Sequence, residues 1–412
     1  MQMNDSTVPV TPSMAEYIEG ARSWLSANTD SKPHRAHARW GEGSDRVALF
    51  RDTSPEEELA QVEAARDWQR RKFDAGYGAI AWPVEYGGAG LPAEFEQAFR
   101  RAESEFVTPL TVEAVSISLA LEAATVLQLG NNEQKDRWVR SLRRGEELCC
   151  QLFSEPGAGS DLGGIALRAV KDGEEWVLTG QKVWTSGAQF ADLGYVIART
   201  SADAPRQHAF TAFLVPMTTP GVQVRPLRQM TGGTSFNEVF FDDVRIPDSA
   251  RLGEVGGGWA AMMTTLAFER AGAAEGLGFG GTDLVDRMIL TAKHFGRDSD
   301  PVVRQRIAEL YGRNRMRNWL AERVDAAAQR GGIPGPQGSL SKLAYTRELQ
   351  DAGDLAGLLL GPAMVADTGA WGTFAWSAFV SGVPGMRLGG GTDEIQKNTI
   401  AERILGLPRE SR

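Results

Sequence analysis

The sequence of 412 residues contains few cysteines, only Cys149 and Cys150, and the two are adjacent. Side chains of neighbouring residues on a strand point to opposite faces, so this pair does not favour a mutual disulfide. A chain of this size that lacks a disulfide framework is typical of a reducing compartment. We therefore predict a cytoplasmic protein in which both thiols serve packing.

The chain also lacks an excess of positive charge and lacks long apolar runs. It has 44 lysines and arginines against 53 acidic residues, a formal charge of −9. Proteins that bind nucleic acid or anionic membranes concentrate positive charge, so neither class of partner is expected. No run approaches the roughly 18 apolar residues of a membrane span. The first ten residues are polar and not basic-then-apolar, so no secretory signal is expected.

Histidine is scarce, with four residues in the whole chain. His34 and His37 have the spacing of a metal-binding pair, but they lie in a basic segment without nearby carboxylates, which argues against a metal site. No phosphate loop ending in Gly-Lys-Ser/Thr and no nucleophile–histidine–acid arrangement is recognisable. The sequence therefore predicts no bound metal.

The order of periodic segments indicates the fold class. A chain of 412 residues is too long for one hydrophobic core and predicts two or three domains. Helical spacing dominates the first part, short alternating segments bounded by Gly and Pro dominate the middle, and helical spacing returns after the glycine-rich stretch 253–258. We predict an α+β fold with a helical domain at 1–147, a β-domain at 148–252 and a helical domain at 253–412.

The same patterns predict individual elements. Helices are expected at 57–75, 112–129, 133–142, 283–295, 302–330 and 340–360, and strands at 175–179, 195–200, 208–215, 222–227 and 237–246. A last helix is expected to begin near Asp393 with Thr392 as its N-cap and to end before Gly406. The arginines at 137, 140, 143 and 144 are predicted to form a solvated helix face.

Two landmarks in the middle part carry the most information about function. Residues 151–162 read Gln-Leu-Phe-Ser-Glu-Pro-Gly-Ala-Gly-Ser-Asp-Leu, and residues 180–187 read Gly-Gln-Lys-Val-Trp-Thr-Ser-Gly. Glycines let the backbone approach a planar or anionic ligand and direct amide hydrogens toward it. An indole, here Trp184, supplies a flat apolar wall for a ring system. Each motif alone is also typical of a surface turn or a core tryptophan.

Together these motifs resemble the flavin-binding middle domain of the acyl-CoA dehydrogenase family. The resemblance extends to residues 83–91, Pro-Val-Glu-Tyr-Gly-Gly-Ala-Gly-Leu, and to residues 391–396, Gly-Thr-Asp-Glu-Ile-Gln. It implies an N-terminal helical domain, a central β-barrel-like domain and a C-terminal four-helix bundle. It also implies oxidation of an acyl-CoA thioester to the trans-2-enoyl thioester, in which a carboxylate takes the α-proton and FAD takes the β-hydride at N5.

The resemblance further implies which residues contact FAD. They are expected at the isoalloxazine edge (Gln151, Phe153, Ser154), beside the pyrophosphate and the pantetheine of the substrate (Ser160), on the opposite ring face (Trp184, Thr185, Ser186) and at the adenosine diphosphate part (Thr392, Glu394). Serine stands at 154 and 186 where the family commonly has threonine, which keeps a hydroxyl donor at both places.

The base departs from the commonest family pattern. Many members carry a glutamate directly before the Gly-Thr of the C-terminal motif, where this chain has Gly390. Glycine cannot accept a proton, but the backbone of Gly390 and Gly391 can help to hold the thioester oxygen. Other members carry the base on the helix after the β-domain, and Glu269 aligns with that glutamate, with Arg270 expected to assist CoA binding or to hold the carboxylate. The alternative is that Glu269 is an ordinary helix charge paired with an arginine.

Differences at the far end of FAD bear on assembly. Family members commonly carry an arginine three residues before a Phe-Gly pair, which reaches the cofactor of a neighbouring subunit; here Ala292 precedes Phe295-Gly296. With the triple glycine at 389–391, the chain resembles a branch of actinobacterial lipid- and steroid-degrading enzymes, some of which are two-gene heterotetramers. The implied partners are an acyl-CoA or carrier-bound acyl substrate, an electron-transferring flavoprotein and further subunits in a homodimer, homotetramer or heterotetramer.

Three functions stay open on these grounds. The first is an acyl-CoA dehydrogenase that uses Glu269. The second is a non-catalytic or half-site subunit of a heteromeric dehydrogenase, favoured by the missing glutamate at 390 and the altered adenine end. The third is a flavin oxidase or monooxygenase on the same fold. They are separated by whether the purified protein is yellow and whether acyl-CoA bleaches it without oxygen.

Overall fold

Helices, strands and helices follow one another along the chain, as the sequence pattern predicts. A computed structural model describes residues 11–32, 39–50, 52–274, 284–328 and 335–409, and for 270–274 and 324–328 it describes the backbone alone. His34 and His37 lie outside the described residues, and so does the side chain of Arg270.

The N-terminal helices begin at residues that cap them. Ser13 and Ser54 each accept a hydrogen bond from the backbone N–H three residues on, and the glutamates there, Glu16 and Glu57, bond back to the cap. This reciprocal arrangement satisfies two N–H groups that have no partner within the helix. The helices of this part are α1 (Met14–Asn28), α2 (Pro55–Asp74), α3 (Ala93–Glu103), α4 (Glu113–Ser116), α5 (Ala123–Leu129) and α6 (Asn132–Arg144).

A π-helical turn, Ile117–Glu122, joins α4 to α5 within one continuous helical segment. The Ser118 hydroxyl donates to Ala114 O at 2.8 Å and accepts from the Cys149 N–H at 2.8 Å, which ties this segment to the first strand. Turns of this type are rare in proteins, and those that occur often lie at functional sites. Here the turn places Glu122 in the protein interior, where it is 0% exposed.

The middle part is one sheet. Its strands are β1 (Cys149–Leu152), β2 (Arg168–Asp172), β3 (Glu175–Ser186), β4 (Leu193–Arg199), β5 (Phe210–Pro216), β6 (Val222–Leu227), β7 (Phe236–Pro247) and β8 (Arg251–Leu252). They are ordered β6-β7-β3-β2-β4-β5-β8, with β1 parallel to β4. Cys149 packs in the cluster shared with the helices, and Cys150 packs in the cluster within the sheet. The two side chains therefore point to opposite faces of β1, as predicted, and both thiols are free.

One expected strand is longer than its sequence pattern indicates. The segment 175–179 and residues 180–186 of the second landmark form the single strand β3, in which Gly180 sits at a bulge with φ 150°. The turn of the hairpin lies before this strand, between β2 and β3, where Gly173 has φ 64°. Glycine at 180 is therefore a bulge residue of a continuous strand.

The C-terminal part consists of helices packed around one long central helix. They are α7 (Gly258–Ala274), α8 (Leu284–His294), α9 (Pro301–Ala328), α10 (Gly338–Leu360), α11 (Ala375–Leu388) and α12 (Asp393–Thr399), which continues as a π-turn (Ile400–Ile404) and ends before Gly406. The core includes Leu349 and Ala352 of α10, and Leu49 and Phe50 cross from the N-terminal segment to join it. Within the described ranges, no helix is long and apolar enough to cross a membrane.

The predicted solvated face of α6 is wrong for one arginine. Arg143 is 8% exposed, donates to Gly78 O at 2.6 Å and to Leu119 O at 2.8 Å, and stacks over the Trp82 ring at 4.4 Å. Its guanidinium supplies several donors in a fixed plane, so it can satisfy carbonyls of two segments while it stacks on an indole. Arg143 therefore joins α6 to its neighbours and is not part of a solvated face.

Candidate functional site

The glycine-rich loop after β1 is tied to the second landmark on β3. Ser154 O accepts a hydrogen bond from the Val183 N–H at 2.9 Å. The Lys182 ammonium, on a side chain that is 0% exposed, donates to Phe153 O at 3.0 Å and to Glu155 Oε1 at 2.8 Å. The two motifs, which residues 163–179 separate in the sequence, therefore form one site.

Trp184 has a backbone conformation that bulky residues rarely adopt. Its φ is 62°, in the left-handed region, at a second bulge where the pairing of β3 with β7 changes register. Such a conformation costs on the order of 1–3 kcal/mol and is found where the surroundings impose it, often at functional sites. The indole is 61% exposed and packs edge-on against Phe236 at 6.1 Å. The bulge thus turns a large aromatic side chain outward, where it is available to a ligand.

Two buried polar atoms of the strands β1 and β3 have no hydrogen-bond partner in the described part of the chain, Gln151 Oε1 and Thr185 Oγ1. Leaving a buried polar atom unpaired costs about 1–3 kcal/mol, so buried atoms of this kind are normally satisfied by a ligand or by water. The edge of an isoalloxazine ring offers both donors and acceptors, and its flat face matches the exposed indole. The residues present therefore fit FAD.

The remaining residues predicted at the flavin ring differ in exposure. Ser154 and Ser186 are half-buried and Ser160 is exposed. The Phe153 ring is 4% exposed and packs edge-on against the Tyr195 ring at 5.2 Å. Its side chain therefore belongs to the core, which leaves only its backbone to face a ligand.

Glu269 lies against the triple-glycine turn. It is half-buried on α7, and a Cβ atom added at Gly390 would come within 2.9 Å of Glu269 Oε1. Glu269 Oε2 is 3.5 Å from Nε2 of Gln151, which lies in β1 just before the glycine-rich loop 153–167, the flavin loop. The carboxylate of the helix thus borders the very place where a glutamate side chain at position 390 would begin. The strand β1, the helix α7 and the triple-glycine turn, which the sequence predicts to form the site, meet here.

Two buried side chains that the sequence analysis did not single out hold this turn. Lys342 Nζ donates to Gly391 O at 2.8 Å and to Arg387 O at 3.1 Å, and Gln396 Nε2 donates to Gly390 O at 2.8 Å. Burial lowers the pKa of Lys342. The turn needs left-handed backbone at two consecutive positions, with φ of 66° at Gly390 and 86° at Gly391, which only glycine adopts without strain. Gln396 belongs to the C-terminal motif, whereas nothing in the sequence around Lys342 indicates its role.

Replacing Gly390 by alanine is expected to lower turnover about tenfold or more while FAD stays bound. The new Cβ meets Glu269 Oε1 at 2.9 Å, so the flexible carboxylate must move away from its present position. Steady-state turnover and flavin content measure the two effects. The control is Gly389→Ala, because Gly389 has a φ of −60° and its added Cβ is 3.6 Å from the nearest atom, Gly385 O. Equal activity of both variants would contradict the geometry.

The residues expected at the adenosine diphosphate part of FAD lie at the start of α12. The Thr392 hydroxyl accepts from the Ile395 N–H at 3.2 Å, so its predicted role as N-cap is confirmed. Glu394 is exposed in the first turn of this helix. The neighbouring Asp393 is buried and accepts from Arg387 at 2.7 Å and from Thr346 at 2.9 Å, which fixes the helix in place.

The residues just before the pair Phe295-Gly296 pack against other parts of this chain. Ala292, which stands at the position of the family arginine, is 0% exposed. Trp40 stacks on His294 with ring centroids 4.0 Å apart and meets Phe295 edge-on at 5.8 Å. His294 and Phe295, which flank the end of α8, are therefore covered by an aromatic side chain of the same chain.

A second carboxyl group lies in the interior near Glu269. Both oxygens of Glu122 are buried, and neither has a hydrogen-bond partner within the described residues. Burial raises the pKa of Glu122 well above its ordinary value, and the charge of Glu269 raises it further. The helix that follows the π-turn is joined to α7 by the hydrogen bond between Thr125 Oγ1 and Thr265 Oγ1, 2.9 Å long and about one turn from each glutamate. Burial and the charge of Glu269 therefore both favour the protonated form of Glu122.

Among the side chains that the structure describes, no three histidines, cysteines, aspartates or glutamates come together to hold a metal ion.

Known protein families match this chain in the same three segments. The chain matches the family description "Acyl-CoA dehydrogenase, N-terminal domain" at residues 46–146, the middle domain of that family at 150–244 and its C-terminal domain at 256–405. Each match falls on one of the helical or sheet parts described above.

Similar proteins cover nearly the whole chain. Acyl-CoA dehydrogenase IpdE1 of Mycobacterium tuberculosis is 36% identical over 399 residues, 96% of this chain and 98% of that protein. Acyl-CoA dehydrogenase FadE34 of the same organism is also 36% identical and covers 95% of this chain, which spans about half, 53%, of that longer protein. A solved structure described as "Tcur3481-Tcur3483 steroid ACAD" has a TM-score of 0.74 at 24% identity, over 98% of this chain and 100% of its own, and so shares the fold.

Proposed function

The chain belongs to the acyl-CoA dehydrogenase family of flavin-dependent oxidoreductases, and we propose that it oxidises an acyl-CoA thioester to the trans-2-enoyl-CoA with Glu269 as the base. The observation that carries the proposal is the position of Glu269 Oε1, 2.9 Å from where a Cβ at residue 390 would stand. Many family members carry their base at the position that corresponds to Gly390 of this chain. A carboxylate supplied by α7 at the same place can meet the same α-carbon.

In the proposed reaction Glu269 removes the α-proton of the bound thioester. A general base needs to be ionised and placed within hydrogen-bond reach of the proton that it takes. Gln151 Nε2, 3.5 Å from Oε2, restrains one carboxylate oxygen, and the open backbone at Gly390 leaves room for the other. Burial raises the pKa of Glu122, and this disfavours a second negative charge in the interior beside the base.

The thioester carbonyl gains negative charge as the α-proton leaves, and donors that point at its oxygen stabilise that charge. We assign this role to the backbone N–H groups of the turn 390–391, which Lys342 and Gln396 hold from the other side through the turn's carbonyls. FAD, when bound, supplies the acceptor for the β-hydride. Its proposed contacts are Gln151, Ser154, Trp184, Thr185 and Ser186 at the ring, Phe153 by its backbone, and Ser160, Thr392 and Glu394 toward the pyrophosphate and adenosine.

Anaerobic mixing of the purified protein with acyl-CoA thioesters tests the proposal. We expect a yellow protein whose flavin absorbance is bleached by at least one member of a panel of straight-chain, branched and steroid-ring CoA thioesters. The steroid-ring members are included because a similar structure is described as a steroid enzyme. A yellow protein that no member bleaches would contradict the proposal and favour a flavin oxidase or monooxygenase.

A second candidate function is a half-site subunit of a heteromeric dehydrogenase. The observation that favours it is Ala292 at the family's arginine position, together with the cover that Trp40 places on His294 and Phe295. A chain built this way offers little to the cofactor of a neighbouring subunit. Purified protein that is colourless alone but becomes yellow and active with a second dehydrogenase subunit would select this function.

The proposed partners follow from the chemistry. Reduced flavin must be reoxidised between turnovers, and we propose an electron-transferring flavoprotein as the acceptor in a cytoplasmic setting. The acyl group can be carried by CoA or by a carrier protein, because the reacting carbons are the same. Further copies of the chain or a related subunit complete a dimer or tetramer.

A further inference from the structure

Three consecutive residues of the flavin loop are held by two consecutive residues of β3. Phe153 O and the Glu155 carboxylate both accept from Lys182 Nζ, at 3.0 and 2.8 Å, and between them Ser154 O accepts from the Val183 N–H at 2.9 Å. Lys182 therefore contacts the residues on either side of Ser154. The hydroxyl proposed to contact the flavin belongs to the residue between the two contacts.

We propose that Lys182 and Glu155 are positioning residues for the flavin, a buried ion pair that sets the place of Ser154 relative to the ring; the inference rests on the proposed function. Neither side chain is assigned a contact with FAD or substrate. Their effect is transmitted through the backbone of residues 153–155.

The carboxylate of Glu155 extends the restraint to the far end of the loop. It accepts from the Ala166 N–H at 2.6 Å and from the Leu167 N–H at 3.0 Å. One side chain thus joins residues 166 and 167 to the start of the loop, across the glycines at 157 and 159. A Cβ at either glycine would meet nothing within 4 Å, so the loop is packed only through residues such as Ala158, which lies between the glycines and is buried. The ion pair adds a restraint at the two ends of the loop, where its hydrogen bonds are made.

The energetics of the pair favour a geometric role. Lys182 is 0% exposed and Glu155 is 7% exposed, so both charges have lost their water. Desolvation offsets most of the attraction in such a pair, and apolar replacements of both partners are often neutral for stability. Burial lowers the pKa of Lys182 to about 8, although Glu155 acts in the opposite direction. The pair contributes little net stability, yet it makes three hydrogen bonds to backbone groups of residues 153, 166 and 167 besides the bond between its two partners. These bonds are explained by the place that the pair gives to the loop.

The test compares Lys182→Met, Glu155→Gln and the double variant, each as holoenzyme with excess FAD. Thermal unfolding, the FAD dissociation constant, the visible circular dichroism of the flavin and the rate of flavin reduction at saturating acyl-CoA are measured. We expect Lys182→Met to lower thermal stability, to weaken FAD binding about tenfold and to slow flavin reduction about tenfold or more. The double variant should recover most of the stability, because no charge is left unpaired, but it should keep the weak FAD binding and the altered flavin dichroism.

The matched control is Arg317→Met, which removes the cation from another interior pair, Arg317–Glu348 at 2.7 Å, in the C-terminal helices. It should lose stability and leave the flavin dichroism and reduction rate unchanged. The inference is overturned if the double variant recovers FAD affinity and reduction rate together with stability, or if Lys182→Met reduces its flavin at the wild-type rate. A wild-type protein that binds no FAD would instead contradict the proposed function, so the two failures are distinguishable.

Discussion

Replacing Glu269 by glutamine is expected to leave FAD bound and to lower the rate of flavin reduction by about three orders of magnitude. Glutamine has the shape of glutamate and can keep a polar contact with Gln151, which lies 3.5 Å away. It cannot accept the α-proton, so the variant separates the loss of the base from the loss of the pocket. Anaerobic stopped-flow mixing with a substrate that bleaches the wild-type protein measures the rate directly.

The control for this experiment is Glu254→Gln, the same change at a glutamate whose side chain is 97% exposed just before α7. Its turnover and flavin content should equal those of the wild-type protein. If Glu269→Gln also turns over at a near-normal rate, Glu269 is not the base. Its place beside the glycine turn would then need a structural explanation.

The glycine at 390 and the glutamate at 269 form a matched pair. With φ of 66°, residue 390 sits in backbone that strains any other residue, and its missing side chain leaves the space that borders Glu269 Oε1. A glutamate at 390 would both strain the turn and collide with the carboxylate already present. The two departures from the common family pattern are therefore sterically compatible, and under the proposed function α7 provides the base that the turn lacks.

Periodicity in the sequence predicted the order of elements well, because apolar spacing reflects which face of an element is buried. The helix expected at 340–360 is observed as Gly338–Leu360, and the strand expected at 222–227 is observed with those bounds. Glycine was less informative, because the sequence alone does not distinguish a turn from a bulge. Gly180 interrupts the alternation of β3 and yet lies inside a continuous strand.

Residues of the candidate site that belong to a sequence motif could be predicted. Residues whose role depends on their burial in the folded protein could not. Glu269, Gln151 and Gly390 come together as the motifs predict. From the sequence alone, charged side chains are expected on the surface. Three of them, Lys182, Lys342 and Arg143, are instead buried and donate hydrogen bonds to backbone carbonyls. Their positions depend on elements far away in the chain, and no local pattern records which carbonyls need a donor.

Replacing Glu122 by glutamine is expected to stabilise the protein, by an amount that grows with pH. The pKa of Glu122 is raised well above its ordinary value of 4.5, by burial and then by the charge of Glu269. Above about pH 4.5 the unfolded chain releases this proton while the folded chain keeps it. Stability from this group is therefore fully present at low pH and is lost as pH rises toward the folded pKa. Glutamine does not titrate, so the variant is free of that loss.

The free energy of unfolding, measured by urea denaturation of the holoenzyme between pH 5 and pH 8, reports this effect. The difference between variant and wild type should increase with pH by up to about 1.4 kcal/mol per unit. Glu254→Gln, at an exposed position, should show no such slope. A slope of zero for Glu122→Gln would mean that the buried carboxyl finds a partner that satisfies its ionised form.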